Sequence, residues 1–235
     1  MPVTLVAHPM SVAESCLQRN AWICPEYVRT RQDLLLDALG NHVYVTVAAV
    51  ALGFVVAMPL ALLARRSRLL EGLVVGAATI LYTIPSLALF ILLLGVTGLS
   101  QTTVIIGLAI YSLAILLRNI LTGLQEVPAD AVDAADGMGL TPLRRLWSVE
   151  LPLAVPTIVA GIRIATVSTV ALATVGSLIG YGALGNFIFQ GLSSSFRAEV
   201  LTATVLVVAL ALVLDGLLLL AQKLLTPWSR GRAAA

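Results

Sequence analysis

Residues 42–64, HVYVTVAAVALGFVVAMPLALLA, contain no Asp, Glu, Lys or Arg and are followed at once by Arg65, Arg66 and Arg68. A helix of roughly 20 apolar residues crosses the hydrocarbon core of a bilayer, which is about 30 Å thick. The stretch is long enough to cross that core once. We therefore predict that it is the first transmembrane helix of the protein.

The same pattern extends along the chain. No charged side chain lies between Glu71 and Arg118 or between Arg163 and Arg197, and each interval has room for at least one span. The 235 residues are 59% hydrophobic and only 11% charged, with a mean hydropathy of +1.01. A soluble domain of this length needs more polar surface than that.

We predict an all-α polytopic membrane protein with about five transmembrane helices. The periodic apolar segments place the spans near residues 42–64, 73–94, 103–121, 153–175 and 200–222. Pro85 predicts a kink within the second span. An uncharged turn at 95–102 separates the second span from the third.

Lysine and arginine cluster in the predicted loops on one side, which sets the orientation. The three basic regions are Arg65, Arg66 and Arg68; Arg144 and Arg145; and Lys223, Arg230 and Arg232. Of the loops on the opposite side, the one between spans four and five carries Arg197 and the one between spans two and three carries no charge. We predict an extracytoplasmic N-terminal segment at 1–40, a transmembrane domain at 41–225 and a cytoplasmic tail at 226–235.

The N-terminal segment contains both cysteines. Residues 26–39 carry leucines beside charges, which predicts an amphipathic helix at the membrane surface or a solvated helix packed on the protein. No metal-ligand spacing surrounds Cys16 and Cys24, so we expect no metal site. We expect two free thiols, with a disulfide as the alternative in an oxidising compartment. The first twenty residues lack the apolar stretch of a cleavable signal peptide, so the first span is expected to direct insertion.

The loop at residues 126–152 is too polar to cross a membrane, yet its pattern predicts two short helices. Pro128 suits the start of the first helix, and Gly137 and Gly139 suit its end. Thr141 and Pro142 are typical of the cap and first turn of the second. Small or apolar residues recur at helical spacing: Ala131, Ala134, Ala135, Met138, Leu143, Leu146 and Trp147. We predict a cytoplasmic helix–turn–helix element that another protein approaches closely.

This loop resembles the cytoplasmic loop of binding-protein-dependent ABC permeases. That loop has Glu-Ala-Ala, three residues, Gly, nine residues, Ile, one residue and Leu-Pro. The chain keeps the spacing, with Asp for Glu and Val for Ile, at Asp133, Ala134, Ala135, Gly139, Val149, Leu151 and Pro152. The resemblance implies that these positions couple transport to an ATPase, with residues 133–147 docked in a groove on its surface.

Shorter stretches are similar to the branch of that family that imports glycine betaine, choline or carnitine. They are YTIPSL at 82–87, LRN at 117–119, AGIR at 160–163 and GALG at 182–185. The resemblance implies a second permease (identical or paralogous), a pair of cytoplasmic ATPases and an extracytoplasmic solute-binding protein. It places the chain in the bacterial cytoplasmic membrane.

The chain is expected to be a non-catalytic subunit without a cofactor of its own. It has no glycine-rich loop followed by Lys and Ser or Thr, the arrangement that cradles ATP phosphates. ATP and Mg²⁺ are therefore expected on the partner ATPase. No cluster of nucleophile, base and metal ligands indicates a membrane enzyme.

Three charges lie within the predicted spans: Arg118, Arg163 and Asp215. Charges at such positions are usually paired or face water. Arg163 and Asp215 have a matched depth of roughly 10–15 Å from the cytoplasmic edge. This predicts an ion pair between them, or a shared cluster with Arg118. A structural tie is the expected role, and a role in transport is the alternative.

Other polar residues within the spans are candidates for lining a solute passage: Tyr82, Ser86, Tyr111 and Ser112. The alternative for each is helix packing and hydrogen bonding to backbone. The glycine-rich stretch at 176–191 suggests either a bent or re-entrant outer gate or close helix packing.

Two other transport functions compete with the osmoprotectant importer. A methionine-type amino-acid importer shares the five-span core. An ion-coupled secondary transporter predicts inverted repeats, which the sequence does not display. The remaining alternative is a membrane scaffold. Neither a scaffold nor a secondary transporter explains the patterned loop at residues 126–152.

Overall fold

The structure is a computed structural model that describes residues 15–179 and 183–226. These residues form ten α-helices and no β-strand. Residues 1–14, the basic tail residues Arg230 and Arg232, and Gly180 and Gly182 lie outside the described residues.

The N-terminal part forms two helices that meet at Arg31. Helix α1 is Pro25–Thr30 and helix α2 is Gln32–Ala64. The 33 residues of α2 extend about 50 Å, which exceeds the thickness of a bilayer core. The separate helix expected over 26–39 does not form, because no breaker divides residues 32–39 from the apolar run that follows. The expected boundary at residue 40 lies inside α2.

The second predicted span is two helices and not one kinked helix. Helix α3 is Arg68–Thr83 and helix α4 is Ser86–Thr97, and the two meet at 97°. Ile84 is extended, with φ −64° and ψ 128°, as the residue before a proline usually is. Pro85 has no N–H with which to continue α3. This sharp bend replaces the moderate kink that the sequence predicts.

The remaining helices include three more that are long and apolar enough to cross a membrane. The bounds are α5 Gln101–Gln125, α6 Ala129–Gly137, α7 Pro142–Arg145, α8 Leu151–Gly176, α9 Leu184–Ser193 and α10 Arg197–Leu225. A π-helical stretch, Leu146–Glu150, joins α7 to α8 without a break. With the bent pair counted as one, the described residues contain five candidate spans.

Helix α5 lies at the centre of the bundle, against α2, α3, α4 and α8. Its side chains Leu108, Leu116 and Leu117 are fully buried. The backbones of α2 and α5 approach closely at Gly53, where an added Cβ would lie 2.1 Å from Ser112 Oγ. Ser112 is buried in this helix contact and donates to Ala109 O. This contact fits the helix-packing alternative for Ser112, and its role in a passage stays a prediction.

The N-terminal segment is fastened to the start of α10. Cys16 and Cys24 form a disulfide, so the expectation of free thiols was wrong. The Asn20 side chain donates to Ser195 O at 2.8 Å and accepts from the Arg197 N–H at 2.9 Å. The fold brings the two thiols together, which their spacing in the sequence does not reveal.

The glycine-rich stretch holds two short elements. A 3₁₀ turn, Ser177–Ile179, follows α8, and α9 is ten residues long, about 15 Å. An added Cβ at Gly185 would lie 2.3 Å from Thr174 O, so this glycine permits close packing. A gating role for the stretch stays a prediction.

The Gly53 contact yields a stability prediction. Gly53→Ala is expected to destabilise the protein by about 1–3 kcal/mol, because the new methyl group overlaps Ser112 Oγ. Gly40→Ala, in the same helix with nothing within 4 Å of the added Cβ, is the matched control and should be neutral or slightly stabilising. Thermal unfolding in detergent measures both. Equal effects of the two variants would contradict the close α2–α5 contact.

Candidate functional site

Helix α6 and the start of α7 form the element that the sequence predicts between spans three and four. Helix α6 ends at Gly137, and Gly139 follows the cap residue Met138 with a φ of +73°, a left-handed conformation that suits glycine. The Gly139 N–H donates to Asp136 O at 2.9 Å, and the Leu140 N–H donates to Ala135 O at 3.2 Å. This Schellman pattern satisfies carbonyls at the helix end. The predicted termination at Gly137 and Gly139 is confirmed, with Gly137 as the last helical residue and Gly139 as the left-handed residue after the cap.

The second helix of the predicted pair is continuous with span four. Thr141 caps it by accepting from the Arg144 N–H, and Pro142 occupies its first turn, both as expected. The Leu151 N–H then donates to Leu146 O, five residues back. The wider π-helical turn makes room for Pro152, which cannot donate to the preceding turn. The turn at Gly139 therefore separates α6 from α7, whereas residues Pro142–Ile179 form one continuous helical segment.

The predicted small-residue and apolar positions divide between two faces. Ala135 and Leu146 are buried against the bundle. Met138, Leu143 and Trp147 are 73%, 67% and 64% exposed. We call these three residues the apolar foot. Leu143 and Trp147 are four residues apart on one continuous helical segment and therefore share a face. Large apolar side chains exposed in a polar loop often mark an interaction surface.

The motif positions follow the same division. Asp133, Ala134 and Gly139 are exposed on the outer side of the element. Val149, Leu151 and Pro152 are half-buried where the helix enters the bundle. Their coupling role is untested by this geometry and stays a prediction.

A chain of charged side chains fastens the element to the bundle. Glu150 is 5% exposed, and its carboxylate accepts from Arg65 at the end of α2 at 2.5 Å and from Arg145 Nε at 2.9 Å. Arg145 also donates to both carboxylate oxygens of Asp136 at 2.6 Å. We call Asp136, Arg145, Glu150 and Arg65 the charge chain. It links α6 to α7, α8 and α2.

Two further hydrogen bonds hold the other end of the element. The Gln125 side chain donates to Glu71 at 3.0 Å, which ties α5 to α3. Thr157 donates to Glu126 at 2.8 Å, which ties the link before α6 to α8. Both flanks of α6 are therefore anchored to spans.

The sequence analysis did not identify the charge chain. Glu150 occupies the unspecified position between Val149 and Leu151 in the motif, so the pattern draws no attention to it. A signal was present, because Glu150 is a single acid at the entrance of an apolar span whose flanking loops are rich in arginine. Acids in such places are rarely left without a cationic partner.

The charges within the spans separate into a pair and a single residue. Arg163 donates to both Asp215 oxygens at 2.8 Å, so the pair expected from their matched depth forms. Arg118 does not join it, which corrects the expectation of a three-residue cluster. Arg118 donates to Thr79 Oγ1 at 2.9 Å instead.

The two tyrosines proposed for a passage lie together at the bend between α3 and α4. The Tyr111 hydroxyl donates to Ile84 O, and the Tyr82 and Tyr111 rings pack edge-to-face with centroids 5.6 Å apart. Tyr82 is half-exposed and Tyr111 is buried. Ser86 is half-buried at the start of α4. A passage role for these residues stays a prediction.

Comparison with known protein families identifies the family to which the chain belongs. Residues 49–231 match the family described as the binding-protein-dependent transport system inner membrane component. The chain belongs to this family. Its members are permease subunits of ABC transporters, and the predicted family is thereby confirmed.

Curated relatives of this permease align over most of their length. The choline transport system permease protein OpuBB of Bacillus subtilis is 36% identical over 202 residues, which cover 86% of this chain and 93% of that protein. The osmoprotectant import permease protein OsmW of Salmonella typhimurium is 36% identical over 206 residues, covering 86% and 96%. An inward-facing structure of the MetNI methionine ABC transporter superposes with a TM-score of 0.72 at 22% identity over 83% of this chain and 95% of that chain, which supports the fold.

The charge chain yields a second prediction. Glu150→Gln is expected to lower the free energy of unfolding by about 2 kcal/mol, because two guanidinium groups lose the negative charge between them. Asp130→Asn is the matched control, since Asp130 is exposed on α6 and makes no ion pair within the described residues. It should change the stability by less than about 0.5 kcal/mol. Thermal unfolding in detergent measures the stability of both variants. A Glu150→Gln variant as stable as the control would contradict a stabilising role for the charge chain.

Proposed function

We propose that this permease is the membrane-spanning subunit of an ABC importer for small osmoprotectants such as glycine betaine, choline or carnitine. The observation that carries the proposal is the apolar foot, an exposed apolar surface on an element anchored rigidly to α2 and α8. A partner that binds the foot can move the spans, because little of the motion is lost in a flexible link. The transport itself is alternating access, driven by ATP hydrolysis on the partner.

The relatives support this substrate class over the alternatives. OpuBB and OsmW are named for choline and osmoprotectant transport, and both align at 36% identity. The methionine transporter is similar at only 22% identity, which supports the shared fold and no substrate. An ion-coupled secondary transporter would not explain the exposed apolar foot.

The orientation follows from the two ends of the bundle. The Cys16–Cys24 disulfide is typical of an oxidising compartment and packs at the start of α10. Arg65, Arg145 and Lys223 lie at the ends of helices on the opposite side. We infer that the disulfide end is extracytoplasmic and the foot is cytoplasmic, in the bacterial inner membrane.

The proposed mechanism assigns each step to a subunit. ATP and Mg²⁺ bind to a pair of cytoplasmic ATPases, whose closure pushes on the foot of each of two permeases. The push reaches α2 through Arg65 and α8 through Glu150, and the spans move from inward-open to outward-open. A solute-binding protein then delivers the solute on the outer side, and hydrolysis reverses the motion. The half-buried Val149, Leu151 and Pro152 form the rigid entry of α8 into the bundle.

A substitution in the foot tests this function. Trp147→Glu is expected to abolish co-purification with the ATPase in detergent, because it places a charge in an apolar contact, while the exposed position leaves the fold intact. Trp147→Phe preserves an aromatic apolar surface and should retain the ATPase. ATP-dependent uptake of radiolabelled glycine betaine into proteoliposomes should follow the same order.

Two results would contradict the proposal. One is a Trp147→Glu variant that binds the ATPase and transports as well as the wild type. The other is a complete wild-type transporter, with its ATPase and binding protein, that takes up none of glycine betaine, choline or carnitine.

A further inference from the structure

Arg118 is an intramembrane cation without a carboxylate partner. Its guanidinium donates to the neutral hydroxyl of Thr79 at 2.9 Å. No carboxylate among the described residues lies within ion-pair distance of it. The other intramembrane arginine, Arg163, has Asp215 as a bidentate partner. Arg118 therefore retains unused capacity to bind an anion.

The guanidinium of Arg118 points into the membrane and not toward the basic end of the bundle. Arg118 lies seven residues before the end of α5 at Gln125, which is about 10 Å along the helix. Its partner Thr79 lies eleven residues into α3, which starts at Arg68, or about 16 Å from the same end. Side chains on a helix lean toward its N-terminus, and for α5 that direction leads to the membrane interior. The side chain does not extend to the interface.

A guanidinium at that depth is costly when it faces lipid tails. It is tolerated where it faces a water-filled passage or another protein. The Arg118 side chain is exposed on the surface of this single chain. The face of α5 that carries Arg118 is thus a face toward water or a second permease.

One aromatic side chain, Tyr82, lines the same cleft as Arg118. Thr79, Tyr82, Ala114, Ile115 and Arg118 surround a space of about 100 Å³. The Tyr82 ring is half-exposed, and the buried Tyr111, held by its hydrogen bond to Ile84 O, fixes it from behind. The cleft is open at the surface of the chain, where Arg118 and Tyr82 are exposed, so a small solute can contact both side chains without being enclosed.

We propose that this cleft is a solute subsite within the passage, in which Arg118 binds a carboxylate and Tyr82 contacts a quaternary ammonium group. The proposal rests on the proposed function. Guanidinium groups bind carboxylates through strong charge-assisted hydrogen bonds. Aromatic faces attract quaternary ammonium ions. A short zwitterion that carries both groups matches the cation and the ring that line this cleft.

The subsite predicts a selectivity that follows from solute chemistry. Glycine betaine carries a carboxylate and a quaternary ammonium group, whereas choline carries the ammonium group and a hydroxyl. Removal of the Arg118 charge should therefore reduce the uptake of glycine betaine far more than the uptake of choline. Loss of the Tyr82 ring should reduce the uptake of both solutes.

The experiment measures ATP-dependent uptake of both solutes by the complete transporter in proteoliposomes, per assembled complex. Arg118→Gln is expected to lower the ratio of glycine betaine to choline uptake roughly tenfold, the loss of a charge-assisted hydrogen bond. Arg118→Lys keeps the charge and should recover part of the ratio. Arg163→Gln is the matched control, because it removes the other intramembrane arginine and should leave the ratio unchanged.

A second pair of variants decides the matter if Arg118→Gln does not assemble. Tyr82→Leu is expected to lower uptake of both solutes by about fivefold, and Tyr82→Phe to preserve both. An unchanged ratio in Arg118→Gln, or full uptake in Tyr82→Leu, overturns the subsite while the importer function stands. A wild-type transporter that takes up neither solute overturns the proposed function, and the subsite with it.

Discussion

The carboxylate of Glu150 is the point at which the cytoplasmic element and the membrane bundle are joined. It is buried, and it is neutralised from two sides by Arg65 and Arg145. Arg145 in turn fixes Asp136 on α6. Breaking one partner of a buried pair leaves an uncompensated charge, so the arrangement resists separation. The hinge at Gly139 allows α6 its angle, and the charge chain then fixes that angle relative to α2 and α8.

Charge within the spans is handled in two different ways. Arg163 and Asp215 satisfy each other and join α8 to α10, which suits a structural tie. Among the residues that the structure describes, Arg118 has the Thr79 hydroxyl and no carboxylate as a partner, and it lies beside Tyr82. A cation that is satisfied by its own protein has little to offer a solute. A guanidinium without a carboxylate partner can bind an anionic group. This difference assigns a packing role to Arg163 and a proposed solute-binding role to Arg118.

Features that depend on neighbouring residues in the sequence, such as apolar runs and helix-ending glycines, could be predicted from the sequence. The spans follow from long apolar runs with few charges, and the end of α6 follows from Gly137 and Gly139. Features that depend on distant contacts could not. The segment closed by the disulfide is bonded through Asn20 to residues about 175 positions later, and the charge chain joins Arg65 to an acid 85 residues later. Pro85 predicts an interruption, but the 97° angle is set by the packing of α3 and α4 on α5.

The most direct test of the account is a cryo-electron microscopy structure of the assembled transporter in nanodiscs, determined with and without a non-hydrolysable ATP analogue. The account predicts that Met138, Leu143 and Trp147 are buried in the ATPase in both states. It also predicts that the charge chain stays intact while α2 and α8 move together. An exposed foot, or a separation of Arg145 from Glu150 as the spans move, would contradict it.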